Sequence, residues 1–247
     1  MDKTKITVVT IGHIPTELDK RKIKNWNSDI FYIVGDIESY SLTKDSDGVG
    51  WEFSDNILEE VLPEQFSGDF LIAIVNVPLE LNWYTRRISN NRVVFTFYEI
   101  KEILSDFHIP LENIIYRLLY AYTLVFRRNG GKIPLNKDVT NFTHDETRGY
   151  LFDMNGIKKD LIYSCHEPII CSDCVERMKH EKVSNDIISK VQKEIRNIKK
   201  PLFYRIIAFI KKHPIWSLVI SAISAIVFGA IGSYIATLIY EAINKSV

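Results

Sequence analysis

From Pro214 to Tyr240 the chain runs twenty-seven residues without a charged side chain, PIWSLVISAISAIVFGAIGSYIATLIY. A bilayer's hydrocarbon core is about 30 Å thick, and about 20 apolar residues in a helix cross it. The run therefore predicts one transmembrane helix over 213–240 with a short tail, 241–247, and leaves no room for a domain beyond it. A buried core helix is the competing reading, but such helices are usually shorter and keep a polar face. The N-terminal MDKTKITVVTIG has no long apolar stretch of the kind a signal peptide needs.

The flanks predict an orientation. Lys199, Lys200, Arg205, Lys211 and Lys212 precede the run, whereas only Glu241 and Lys245 follow it. Basic residues accumulate on the cytoplasmic side, so the N-terminal part is expected in the cytoplasm. Trp216 and Tyr240 stand near the two ends, where amphipathic rings favour the headgroup layer. Leu202 to Ile210, broken by Arg205, is read as a helix that enters the membrane or lies in its interface. Within the run, Ser217, Ser221, Ala225, Gly229, Ser233 and Thr237 recur every fourth residue. Small residues at this spacing let a second helix approach closely, which predicts a homo-oligomer.

Charge divides the remainder. Residues 1–178 hold 20 Lys and Arg against 27 Asp and Glu, and residues 179–212 hold 10 against 3. A basic membrane-proximal part suits anionic lipid at about 1 kcal/mol per cation, while an acidic head argues against nucleic acid as a partner. Residues 1–178 suffice for one α/β (α+β) domain around a central mixed sheet. Strands are predicted over 5–11, 29–34, 69–77 and 92–97, and helices over 14–26, 53–62, 98–104 and 110–126. The loop 43–50 separates them, and Asn155-Gly156 inside 149–163 predicts a β-hairpin. Ile188, Val191, Ile195 and Ile198 are spaced 3-4-3, the seam of a short coiled-coil stalk over 179–199.

Cys165, Cys171 and Cys174 are the chain's cysteines, a distribution that suits a reduced compartment. Cys171-x2-Cys174 has zinc-knuckle spacing, and His144, Cys165 and His166 could complete a tetrahedral structural Zn²⁺ site. A pair of buried thiols without metal explains the same residues. No HExxH, Gly-x-Ser-x-Gly, phosphate-loop or GxGxxG pattern occurs. His144-Asp145-Glu146 reads as a surface turn leading into the hairpin in preference to an active site. Arg86 and Arg87, with Arg92, read as a solvated basic turn that could hold a small anion.

The order of elements resembles the archaemetzincins, a family of small zinc peptidases. The resemblance lies in Ile11-Gly-His-Ile-Pro15, in Asp69 to Val77, in Asn90-Asn-Arg-Val-Val-Phe95, and in His144, Gly149-Tyr-Leu-Phe152 and the closing Cys171-x2-Cys174. It covers residues 5–178 in outline. Two departures stand out. The helix that would carry HExxH, Asn113 to Phe126, has Tyr116, Tyr120 and Tyr122 but no histidine, and Tyr150 stands where a cysteine is expected. The resemblance thus implies a zincin-like scaffold without its catalytic metal, a pseudoenzyme with no catalytic residue carried over. The first functional expectation is a non-enzymatic, membrane-anchored sensor or adaptor that acts through oligomerisation, with a ligand or protein partner for its head. Two alternatives are a membrane-perturbing effector of a bacterial defence or toxin system, and a divergent metal-dependent hydrolase using His144, Asp145 or Glu146.

Overall fold

The computed structural model describes residues 2–138, 149–152, 157–181 and 183–244. They form two compact units, Met1–Lys200 and Pro201–Val247. In chain order the head contains β1 (Thr4–Ile11), α1 (Lys20–Lys24), β2 (Phe31–Ile33), β3 (Glu38–Tyr40), α2 (Asp55–Val61), β4 (Phe70–Val75), β5 (Thr85–Ile88), β6 (Arg92–Thr96), α3 (Ile100–Asp106), α4 (Leu111–Arg128), α5 (Leu161–Ser164), α6 (Ser172–His180) and α7 (Asn185–Glu194). The second unit contains α8 (Leu202–Lys212) and α9 (Pro214–Asn244).

The sheet is mixed, in the order β2-β1-β4-β6-β5, with β3 pairing the far end of β1. All pairings are parallel except β5 against β6. A parallel sheet covered on both faces needs apolar residues at every strand position, and all six residues of β4, FLIAIV, are buried. Phe70, Ile72 and Ile74 face one core with Ile6, Val8, Val93 and Phe95. Leu71, Ala73 and Val75 face the other with Val9, Ile11 and Val94. The first core is closed mainly by α4, and the second by Leu58 of α2 with Phe53 and Leu79.

Local chemistry sets several boundaries. Ser54 caps α2 by accepting the Ile57 N–H, and Asp19 caps α1 by accepting from Arg21 and Lys22. Pro110 precedes α4, and Gly130, with φ of 65°, follows its end. The tyrosines of α4 hold distant segments together. The Tyr116 ring stacks on Trp26 with centroids 3.8 Å apart. The Tyr120 hydroxyl accepts from Trp26 Nε1 at 3.0 Å and donates to Glu194 at 2.7 Å. Tyr122 is fully buried.

Three expectations are corrected. The hairpin does not form: Lys158–Asp160 is a 3-10 turn leading directly into α5. The Gly149–Leu151 segment pairs instead with Ile169, through Leu151 N–H to Ile169 O at 2.8 Å and Ile169 N–H to Gly149 O at 3.1 Å. Asn155-Gly156 lies outside the described residues. The basic turn is the antiparallel edge strand β5 with the start of β6, and Arg86 and Arg92 are ion-paired. Arg86 grips Asp55 through Nε at 2.6 Å and Nη2 at 2.5 Å, and buried Arg92 reaches Glu59 at 2.9 Å. Charged side chains on an edge strand read like a loop because the edge needs no alternating apolar face.

The stalk over 179–199 is also corrected. Ile188, Val191, Ile195 and Ile198 are buried in the head's main core together with Ile187. A 3-4-3 spacing marks one apolar helix face and does not say whether that face meets a partner or its own domain. Glu194 fixes this segment by accepting from Ser28 Oγ at 2.6 Å, Asp29 N–H at 2.8 Å and the Tyr120 hydroxyl.

α8 and α9 contrast with this. Helix α9 includes a stretch, Pro214–Glu241, long and apolar enough to cross a membrane and without a buried residue. At 1.5 Å per residue those 28 residues extend about 42 Å, more than the hydrocarbon thickness.

Candidate functional site

The cysteine pair has a local structural role. Cys171 is the N-cap of α6, and its Sγ accepts the Cys174 N–H at 3.3 Å. Cys174 is buried, and burial, with the hydrogen bond to Cys171 and that group's charge, pushes its thiol up to about 12. Cys165 is fully enclosed, and burial lifts it to about 12 against the pull of Arg117. His166 accepts the Lys200 N–H on Nδ1 at 3.3 Å. Among the described residues no three His, Cys, Asp or Glu side chains gather as a metal-holding group. Any four-ligand set drawn from the five candidates and containing both Cys171 and Cys174 also requires Cys165 or His166. Among the described residues, Cys165, Cys171, Cys174 and His166 are therefore not gathered into the foreseen zinc site. His144, Asp145 and Glu146 lie outside the described residues.

The basic membrane-proximal set divides at residue 200. Lys199 pairs with Glu167 at 3.3 Å, and Lys200 lies 5.9 Å from the Phe107 ring centroid. Both belong to the head, and burial lowers the pKa of Lys200. Arg205, Lys211 and Lys212 belong to α8.

The small-residue positions all fall on α9. A four-residue step turns 400° at 100° per residue, so the stripe drifts by about 40° per step around a straight helix. The small residues share one face over a few turns, centred on Ala225, Gly229 and Ser233, and not along the entire helix. A Cβ built on Gly229 meets no atom within 4 Å. The hydroxyls of Ser217 and Thr237 donate to the carbonyls four residues back, at 2.9 and 3.1 Å.

A further site emerges from the sheet itself. In open α/β sheets ligands settle outside the carboxyl ends of the strands. Here the ends of β4 and β6 lead into Asn76 and into Tyr98-Glu99, which line a cleft of about 710 Å³ with Asn82, Glu102, Ile103 and Ile157–Lys159. Its wall is held by Lys158, which is buried. Lys158 Nζ donates to Asn82 Oδ1 at 2.6 Å, Glu99 Oε2 at 3.0 Å and the Tyr98 carbonyl at 3.2 Å, and sits 5.0 Å from the Tyr98 ring centroid. Burial works to raise the pKa of Glu99, but the hydrogen bonds from Lys158 and Asn82 outweigh it and leave the carboxyl below its ordinary value.

Backbone strain collects at the same place. Leu81, Asn82 and Glu99 have φ of 57°, 54° and 65°. Such left-handed residues cost on the order of 1–3 kcal/mol each and persist where surrounding contacts impose them. The Glu52 carboxylate imposes two of them by accepting the Leu81 and Asn82 N–H groups at 3.1 and 3.2 Å. The adjoining turn displays Trp51, 80% exposed and itself at φ 66°, while Leu81 is 73% exposed. Lys158 is saturated by its partners. The groups the cleft offers to a ligand are therefore the Asn76 amide, Glu102, Lys159 and an apolar surface of Tyr98, Ile103 and Ile157. No sequence motif marks it, since its residues come from three distant segments and its strained positions are not glycines.

No family model matches the chain, and no curated protein matches it. Among solved structures it is similar to archaemetzincin from Methanopyrus kandleri, at 11% identity and a TM-score of 0.41, over 72% of this chain and 95% of that one. This is a distant structural resemblance to the family named from the sequence, and it gives no residue of this chain a role.

Proposed function

We propose that this protein is a membrane-anchored sensor or adaptor, held by α9, whose head binds a ligand and whose span brings copies together. The observation that carries the reading is α9: Pro214–Glu241 is uncharged up to its last residue and has no buried residue, whereas the head buries its own apolar helix α4. An apolar helix of this length needs a nonaqueous environment, and a bilayer supplies it. The basic flank before Pro214 supports a cytoplasmic head. The cleft at the ends of β4 and β6 supports a binding role, and its lining suits a small ligand with an apolar body and polar ends.

The test is crosslinking of the full chain in membranes with a lysine-reactive reagent. The reading predicts crosslinked oligomers at low expression, persisting when unrelated membrane protein is added in excess. Monomers alone under these conditions would overturn the clustering part of the reading.

A further inference from the structure

Helix α8 is neither part of the head nor a continuation of the span. It begins after Pro201, ends at Lys212, and is separated from α9 by His213, whose φ of −133° and ψ of 64° interrupt the helix. None of its residues is buried. Projected at 100° per residue, Phe209, Leu202, Ile206, Ile210 and Phe203 fall within an arc of about 120°. All five are largely exposed. Arg205, Lys211 and Lys212 project on the other side, and residues 201–213 contain no acidic side chain. Eleven residues make about 16 Å of helix, too short to cross a bilayer.

Continuity identifies what covers this face. Only His213 lies between α8 and Pro214, and one residue extends at most about 3.6 Å. If the span starts at the headgroup level, α8 ends there too. Trp216 is one turn into α9, and the Phe209 and His213 rings meet at 5.2 Å across the corner. We propose that α8 lies flat in the interface of an anionic bilayer, with its Leu-Phe-Ile face among the acyl chains and Arg205, Lys211 and Lys212 on the lipid phosphates. This rests on the reading of α9 as a span. A basic amphipathic helix in that position immerses its apolar face about 5–10 Å, and each cation strengthens attraction to anionic headgroups.

The experiment uses the full chain in a Cys171→Ser background, which keeps a helix cap on α6, with single spin labels at Ile206→Cys, Ala208→Cys and Phe228→Cys. Accessibility to oxygen and to a nickel chelate reports depth in phosphatidylglycerol-containing vesicles and in phosphatidylcholine alone. The proposal predicts a deep label at 228, a shallowly immersed label at 206 and an aqueous label at 208, with 206 shifting outward in phosphatidylcholine. Labels at 206 and 208 equally accessible to nickel, with 228 deep, would overturn the interfacial helix while leaving the span intact. A label at 206 shielded from both reagents would overturn it in favour of a protein contact, whether with another copy or another chain. Equal depth at 206 in both lipids would overturn the anionic-lipid assignment. An aqueous label at 228 would remove the span, and α8's membrane role with it.

Discussion

Helices α4 and α9 are both long and largely apolar, yet the protein treats them in opposite ways. In α4, sixteen of eighteen residues are buried, among them Glu112, Asn113 and Arg117. The polar groups there have work within the fold: Glu112 accepts the Asp19 N–H at 2.9 Å, and Asn113 Nδ2 donates to the Cys165 carbonyl at 2.9 Å. In α9 no charge occurs before Glu241, and Pro214–Glu241 has no buried residue. A helix enclosed by its own domain can carry charge because partners are built around it. A helix enclosed by lipid cannot, because lipid offers none. Apolarity alone does not separate the two; the tolerance of polar side chains does.

The sharpest way to break this contrast is to cut both helices equally. Leu119→Ala opens a cavity in the head's core, where the side chain is fully buried. It should lower the stability of the head by about 2–5 kcal/mol. Phe228→Ala on α9, where the ring is largely exposed, should leave the head's transition unchanged. Denaturant unfolding of the full chain in micelles, followed by near-ultraviolet circular dichroism, compares them. Equal effects would remove the distinction.

A second substitution tests where the head ends. Glu194→Ala leaves Ser28, the Asp29 N–H and Tyr120 without their shared acceptor. It should cost about 1–3 kcal/mol, whereas exposed Lys193→Ala should stay within about 0.5 kcal/mol. If residues 185–198 were a detached stalk, both variants would melt with the parent.

These two elements also show how far the sequence was legible. Strands β1, β4 and β6 announced themselves as apolar runs because both faces of a parallel sheet are covered. Helix α4 was bounded by Pro110 and Gly130-Gly131. α7 was visible as a helix face, but its destination was not, because one apolar stripe serves a coiled coil and a domain core equally. The 149–163 segment misled because Asn-Gly between apolar runs carries a strong turn signal. Ile169, whose backbone pairs with Gly149 and Leu151, is distant in sequence. The cleft was invisible: left-handed backbone at Leu81 and Asn82 is imposed by tertiary hydrogen bonds to Glu52 and leaves no local mark. The zinc site failed for the converse reason, since Cys171-x2-Cys174 spacing equally describes a helix cap followed by a buried thiol.

A smaller effect sharpens the account of those thiols. Cys165 and Cys174 ionise less readily folded than unfolded, since burial raises both to about 12 from an ordinary value of 9.0. Above pH 9 the unfolded chain loses these protons and the folded chain keeps them. Stability is therefore complete below pH 9 and falls as pH rises toward 12. The loss for Cys165 should be about 1 kcal/mol near pH 10. Burial raises Tyr116 and Tyr120 in the same direction, adding to the decline at higher pH. Unfolding free energy measured from pH 8 to 10.5 checks the sign, and Cys165→Ala should flatten the slope.

The smallest effect is expected inside the span. Gly229→Ile fills the close-approach surface without a polar penalty in lipid and should weaken helix association by about 1 kcal/mol. Ile226→Leu, off the stripe, should not. A membrane two-hybrid comparison decides between them, and equal association would leave any oligomer to the head.

A helix covered by a bilayer resists extraction that releases a head surrounded by water. Alkaline carbonate extraction of membranes containing the full chain, beside a chain ending at Lys212, tests it directly. The full chain is expected to remain in the membrane pellet while the shortened chain is released into the supernatant. Release of both chains together would contradict it.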